Sequence, residues 1–276
     1  MIIDFHSHSN ASDGALSPLA LIEQAIAAGI RQFAITDHDT VAGYQQVLCQ
    51  REEWPEDFEL RTGVELSCRW ANGTVHVVGL DFVVEHPVMQ AALQRLGEAR
   101  LQRAASIAER LARHGYAGAL EGAIAEAGQS QIGRPHFAAW MVARGHVADV
   151  NEAFHRYLGA GKIGDVKAFW PELGEVCDWI VRSGGTAVLA HPLKYKYTRM
   201  KLRRLLTDFQ ASGGRGLEVC SGRQTADQTR QLCRVAQEYG LLLSAGSDFH
   251  QQWQYGPALG VKVSQFPPLP NLWARS

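Results

Sequence analysis

Six short apolar runs in this chain end in, or carry, a side chain able to ligate a metal ion. MIIDFHSHS gives His6 and His8, FAITDHDT gives His38, LRTGVELS gives Glu65, VHVVGLDF carries His76, TAVLAHP gives His191, and LLLSAGSDFH gives Asp248 and His250. With Asp13, in the loop after the first run, this makes nine candidate ligands, six of them histidines, whereas His86, His114, His136, His146 and His155 follow no such rule. Successive side chains on a strand point to opposite faces, so His6 and His8, two apart, project the same way and form a ligand pair. A lone H-x-H is as readily two surface histidines on an edge strand. Its recurrence at the ends of later runs makes coincidence a poor account.

The segments between these runs read as helices. Ser17 and Pro18 supply a cap and a first-turn proline, Leu21, Ile22, Ala25 and Ile26 share one face, and Gly29 is the stop. Arg31 to Thr36 is the next strand and Val41 to Gln50 the next helix. Glu59 to Ser67 and Thr74 to Val83 read as two strands around Trp70-Ala71-Asn72-Gly73, whose Asn-Gly predicts a hairpin and an antiparallel pair. From Pro87 to Gly161 the pattern is helical throughout and punctuated by glycines. Beyond it, helix Leu173 to Ser183, strand TAVLAH, helix MKLRRLLTDFQASGG, strand GLEVC, helix TADQTRQLCRVAQEYG and strand LLLSAG alternate cleanly. Seven strands with intervening helices predict the α/β class and a largely parallel sheet. Ligands at or past the C-terminal ends of six strands fit a closed or nearly closed barrel, where βα loops converge, better than an open sheet with one switch point.

Charge narrows the partners. With 27 basic against 28 acidic residues, the chain lacks the bulk positive field of a nucleic-acid or membrane binder, although a local basic patch stays open. Five cysteines (Cys49, Cys68, Cys177, Cys220, Cys233), odd in number and without C-x-x-C, argue for free thiols in a reducing cytoplasm. The absence of a signal-like start and of an apolar run of about 18 residues adds to the expectation of a cytoplasmic protein, off the membrane and with no obligatory protein partner.

Imidazole and carboxylate ligands without thiolate suit Mn²⁺, Fe²⁺ or Zn²⁺ at catalytic sites. Nine ligands exceed what one open site uses and approach what three ions sharing a carboxylate need, with Glu65 as the bridge because it is the only glutamate among them. Such a cluster of cations suits phosphoryl oxygens and an in-line displacement.

DFHSHSNASDG, TDHDT, GVELS, VHVVG, AHP and GSDFH, in this order, resemble the successive motifs of the PHP (polymerase and histidinol phosphatase) family. IGRPHFA and YLGAGK resemble more narrowly its TrpH/YciV (RNase AM-like) branch, which includes 3′,5′-nucleotide bisphosphate phosphatases. The resemblance implies a distorted (β/α)₇ PHP barrel formed by residues 1–86 and 162–276, with an all-helical insertion, residues 87–161, covering the active site. It implies a trinuclear centre, most simply three Mn²⁺, with Fe²⁺ or Zn²⁺ as alternatives. His6, His8 and Asp248 would hold one ion, Glu65 would bridge it to a second on His76 and His191, and Asp13, His38 and His250 would hold the third. His191, Asp248 and Glu65 are then the residues closest to catalysis.

Outside the ligands, Asp4 and Asp37 either orient neighbouring histidines or serve as strand-end and turn residues. Arg134, in Gly133-Arg134-Pro135-His136, opens a helix, where its guanidinium either grips a phosphate or is simply solvated. Lys162 and Arg223 are further phosphate candidates, and His136 either contacts a nucleotide or caps its helix. The activity expected is a metal-dependent phosphoesterase that removes the 3′-phosphate of a nucleoside 3′,5′-bisphosphate such as pAp. A 5′-3′ exonuclease on short RNA or DNA oligonucleotides is the close alternative, and the low overall positive charge favours the small substrate. Histidinol-phosphate phosphatase and a non-catalytic PHP module stand further off.

Overall fold

A computed structural model of the chain describes residues 1–167, 169–252 and 256–274. Its elements run β1 (Ile2–Asp4), α1 (Pro18–Ala27), β2 (Gln32–Ala34), α2 (Ala42–Val47), β3 (Glu59–Arg61), β4 (Gly63–Trp70), β5 (Gly73–Leu80), α3 (Pro87–Ala112), α4 (Ala119–Ala127), α5 (Arg134–Ala143) and α6 (Val150–Ala153). They continue with α7 (Leu173–Arg182), β6 (Thr186–Leu189), α8 (Arg199–Ala211), β7 (Gly216–Ser221), α9 (Ala226–Tyr239), β8 (Leu242–Gly246) and β9 (Val261–Lys262). The chain packs as two compact units, one made of Met1–Leu93 with Pro171–Ser276 and the other of Gln94–Trp170.

In the first unit the strands form two sheets, ordered β3-β2-β1-β9 and β4-β5-β6-β7-β8. Nine strands are seen among the described residues where seven were expected. The run Glu59–Ser67 breaks at Thr62 and serves both sheets. Gly63 there passes so close to the end of β2 and the residues after it that a Cβ would lie 2.8 Å from the Ile35 carbonyl oxygen. The second addition is the short β9, antiparallel to β1. The sheet is also less parallel than expected, since β5, besides its expected antiparallel pairing with β4, runs antiparallel to β6. The hairpin β4–β5 is present, and Trp70 pairs with Gly73 across a loop in which Ala71 takes φ +50°.

Backbone bonds cross both seams between the sheets. At one, the Phe5 N–H donates to Ala245 O (3.1 Å), His8 N–H to Phe249 O (2.8 Å) and Asp248 N–H to His6 O (2.7 Å). At the other, Asp39 N–H donates to Glu65 O (2.9 Å) and Glu65 N–H to Asp37 O (3.2 Å). The result is a distorted α/β barrel whose sheets are joined chiefly by the segments that carry His6, His8, His38, Glu65 and Asp248.

The helices follow from their ends and faces. Ser17 Oγ accepts the Ala20 N–H at 3.2 Å, Pro18 opens α1, and Gly29 ends it at φ +71°. Leu21, Ile22 and Ala25 of α1 are buried with Ile30, Phe33, Ile35 and Phe249. At about 1.5–3 kcal/mol for each fully buried large apolar side chain, this packing fixes the barrel wall behind the first ligand loop. In the second unit Ile107, Leu111, Ala123, Phe137, Trp140, Met141 and Leu158 form a separate core. Gly122 lies there against Trp140, where a Cβ would come within 2.0 Å of Cδ1. All five cysteines are free. No helix among the described residues is long and apolar enough to cross a membrane.

Candidate metal centre

All nine candidate ligands meet in the first unit. Glu65 is their hub: its Oε2 lies 3.3 Å from His6 Nε2, 3.3 Å from His8 Nε2 and 3.1 Å from His38 Nδ1, and its Oε1 lies 2.9 Å from His76 Nδ1 and 2.8 Å from His191 Nε2. Asp248 Oδ1 adds contacts to His6 (3.6 Å), His8 (3.4 Å) and His250 (3.6 Å). Asp13 closes the far side, 3.7 Å from His8, 3.8 Å from His38 and 3.5 Å from His250.

The route by which the side chains arrive differs in part from expectation. β1 ends at Asp4, so His6 and His8 lie past it and share a face because Ser7 bridges to Phe249. Glu65 and His76 sit inside strands β4 and β5 and not at their C-terminal ends. Ser67 pairs with His76, and Glu65 is two residues from Ser67, so strand alternation sends both ligands to one face. His191 and Asp248 hold φ of +28° and +52°, unusual for non-glycine residues and characteristic of functional sites held in shape by their surroundings. Gly246 makes room, since a Cβ there would lie 2.4 Å from His6 Cβ.

The polar groups behind the cluster are partly not those expected. Among the described residues no imidazole contact is seen for Asp4 or Asp37. Asp4 accepts the backbone N–H groups of His6 (3.3 Å), Ser247 (2.8 Å) and Gly260 (2.8 Å). Asp37 accepts Ser9 N–H (2.8 Å), Ser9 Oγ–H (2.6 Å) and Ser12 Oγ–H (2.7 Å), so both carboxylates brace the loops that carry the ligands. Burial pushes both up to about 6, against these hydrogen bonds. The carboxylate that does orient a histidine is Glu218, which sequence reasoning missed: its Oε1 is 2.9 Å from His6 Nδ1 and its Oε2 accepts the His191 N–H. The available signal was a glutamate inside the otherwise apolar run GLEVC.

The donor set fits divalent ions. His6 Nε2, both ring nitrogens of His8, His38 Nδ1 and Glu65 Oε2 are buried and make no hydrogen bond among the described residues, and buried polar atoms are seldom left so. Burial lowers the pKa of His8, His38, His191 (to about 4) and His250, which keeps these rings in the neutral form a ligand needs. His6 behaves differently. Burial lowers it too, but the Glu218 and Glu65 carboxylates prevail and raise it to about 10, a measure of the negative charge that a cation would meet. Four overlapping groups have ligand atoms close enough for one ion each: His6, His8 and Asp248; His6, Glu65 and His191; His38, Glu65 and His76; and His8, Asp13, His38 and His250.

The PHP domain model matches residues 4–157. The chain belongs to the PHP domain family. It is 42% identical to a 5′-3′ exoribonuclease of Haemophilus influenzae, over 90% of this chain and 89% of that one. It is 38% identical to a 3′,5′-nucleoside bisphosphate phosphatase of Chromobacterium violaceum, over 97% and 93%. A solved structure of an amidohydrolase from Chromobacterium violaceum, with bound sulfate and no metal, superposes with a TM-score of 0.86 at 37% identity, covering 98% of this chain and 93% of that one. This PHP protein is an enzyme, a metal-dependent phosphoesterase.

Beside its metal centre the PHP barrel has a pocket of about 370 Å³, lined by His191, Asp248, Lys194, Arg223, Gln224 and Gln228 among others. Arg223 was expected near phosphate. Lys194 was not, and its Nζ contacts Asp248 Oδ2. The other phosphate candidates belong to the helical unit. Arg134 Nη1 donates to Leu158 O at 3.0 Å and lies 4.0 Å from Asp165. His136 Nδ1 accepts the Gly133 N–H at 3.0 Å, the capping alternative. Lys162 is exposed in the loop after Leu158.

Proposed function

We propose that this enzyme removes the 3′-phosphate of nucleoside 3′,5′-bisphosphates such as pAp, releasing phosphate and the 5′-mononucleotide. The observation that carries the reading is that two of the clustered ligand candidates, His191 and Asp248, also line a pocket with Lys194 and Arg223. A pocket of about 370 Å³ is at the small end of ligand sites, and two cations on its wall suit a substrate with a second phosphate. The bisphosphatase name of the Chromobacterium violaceum relative supports the same substrate class.

The nine clustered side chains are proposed to hold three ions, with Mn²⁺ as the expected metal and Glu65 shared between them. When bound, such ions supply positive charge for the phosphoryl oxygens and an activated water. The chain's own residues fix where this happens. Glu65 gathers five imidazoles, Glu218 keeps Nε2 of His6 turned inward, and Lys194 and Arg223 bind the phosphate oxygens that face the pocket. Arg134, with His136 and Lys162, is proposed to contribute to substrate choice, a role supported by the family resemblance of the GRPH segment.

Release of the 5′ nucleotide from RNA oligonucleotides is the second reading, supported by the exoribonuclease name of the Haemophilus influenzae relative. A panel of pAp, other phosphorylated metabolites and short oligonucleotides, assayed with Mn²⁺, separates the two. Faster turnover of oligonucleotides than of pAp would reverse their order.

A further inference from the structure

The segment Lys194–Arg204, KYKYTRMKLRR, holds six basic residues and no acidic one, in a chain whose remainder carries 21 basic against 28 acidic residues. It starts at the metal centre, where Lys194 contacts Asp248. Tyr195 anchors it: its hydroxyl accepts the His76 N–H and donates to Ala190 O, both at 2.9 Å. Lys196, at φ +52°, then turns the chain outward into α8. Lys194, Lys196, Arg199, Lys201 and Arg204 are exposed. Arg203 is engaged by Glu238, but among the described residues no ion pair is seen for Lys196, Arg199, Lys201 or Arg204. Lys201 Nζ stands 4.0 Å over the Tyr197 ring, and Tyr197 in turn is 5.7 Å from Trp70.

The start of α8 opposes helix electrostatics. Its first turn has no acidic residue, and Arg199 and Lys201 stand where the helix dipole disfavours cations. An anion outside the protein relieves both the dipole and the mutual repulsion. Exposed cations interleaved with half-buried tyrosines are what a flexible phosphate backbone with stackable bases requires.

We propose that Lys196, Arg199 and Lys201, with Tyr197, form a track for a single-stranded nucleic acid that extends from the pocket beside the metal centre. The track rests on the reading of that pocket as a nucleotide site, and it supplies the longer groove that an oligonucleotide substrate needs.

The test uses the full-length protein in EDTA with a fluorescein-labelled single-stranded RNA of about 12 nucleotides, so that binding is read without turnover. Wild type is compared by anisotropy with Lys196→Ala/Arg199→Ala/Lys201→Ala across a salt series. The variant should bind at least about tenfold more weakly. Its log–log salt slope should fall by about 2, since each lost single-strand phosphate contact removes about 0.7. With Mn²⁺ restored, kcat/KM on pAp should stay within about twofold of wild type. Unchanged affinity and slope, or no RNA binding by wild type, would overturn the track. Preferential binding of wild type to phosphatidylserine vesicles would overturn it in favour of a lipid surface. If thermal melting shows the triple variant unfolded, Lys196→Ala/Arg199→Ala replaces it, with weaker binding and a slope change of about 1.4 expected for two lost contacts. Failure of pAp hydrolysis in wild type would count against the proposed activity and leave the binding result standing.

Discussion

Nδ1 of His6 lies 2.9 Å from Oε1 of Glu218, and both side chains are buried. The contact fixes which edge of the imidazole is left for a metal, since a proton held on Nδ1 leaves the Nε2 lone pair facing Glu65 and Asp248. The other oxygen of Glu218 accepts the backbone N–H of His191, so one carboxylate orients two candidate ligands.

Glu218→Gln should therefore lower metal affinity by roughly 10- to 100-fold, the usual cost of losing a carboxylate behind a ligating histidine. Competition with a fluorescent chelator reads this directly. An affinity equal to wild type would deny Glu218 any part in orienting His6.

Glu65→Ala removes the one group that, among the described residues, touches five of the candidate histidines. Turnover should fall by orders of magnitude and bound metal should drop below that of wild type, while circular dichroism stays native. Full activity in the folded variant would exclude Glu65 as the shared ligand.

Asp4→Ala would leave the buried N–H groups of His6 and Ser247, and the part-buried N–H of Gly260, without this acceptor. At about 1–3 kcal/mol for each unsatisfied buried donor, the loss should appear as a large fall in Tm. A variant as stable as wild type would show that water takes over the three bonds.

Much of this centre was legible in the sequence because ligand chemistry and strand position coincide there. His6, His8, His38, His191, Asp248 and His250 stand where apolar runs end, and side-chain type and place make the same statement. Glu218 was not legible for the opposite reason. It lies within β7, where a strand pattern gives no notice that a position faces a histidine more than two hundred residues away. Lys194 and Tyr195 were hidden in a short 3₁₀ turn after His191, a segment without periodicity. The division of the Glu59–Ser67 run was missed because the crowding at Gly63 comes from Ala34, Ile35 and Thr36, neighbours that only the fold supplies.

Arg134 separates substrate choice from structure. Its bond to the Leu158 carbonyl makes Arg134→Ala cost about 1 kcal/mol of stability. If it also binds phosphate, a charge-assisted contact of about 1.5–3 kcal/mol predicts a roughly 10- to 150-fold loss in kcat/KM on pAp. A small phosphodiester without a second phosphate should be affected much less. Unchanged kcat/KM on pAp would leave Arg134 with its structural role alone.

The most direct test of the central claim is the fate of pAp with protein stripped by chelator and then titrated with Mn²⁺. The account predicts no turnover in the stripped protein. Activity should return only as more than one ion binds per chain, with inorganic phosphate and the 5′-mononucleotide as products. Saturation at a single ion, formation of the 3′-mononucleotide, or no hydrolysis by the folded, metal-loaded protein would contradict it.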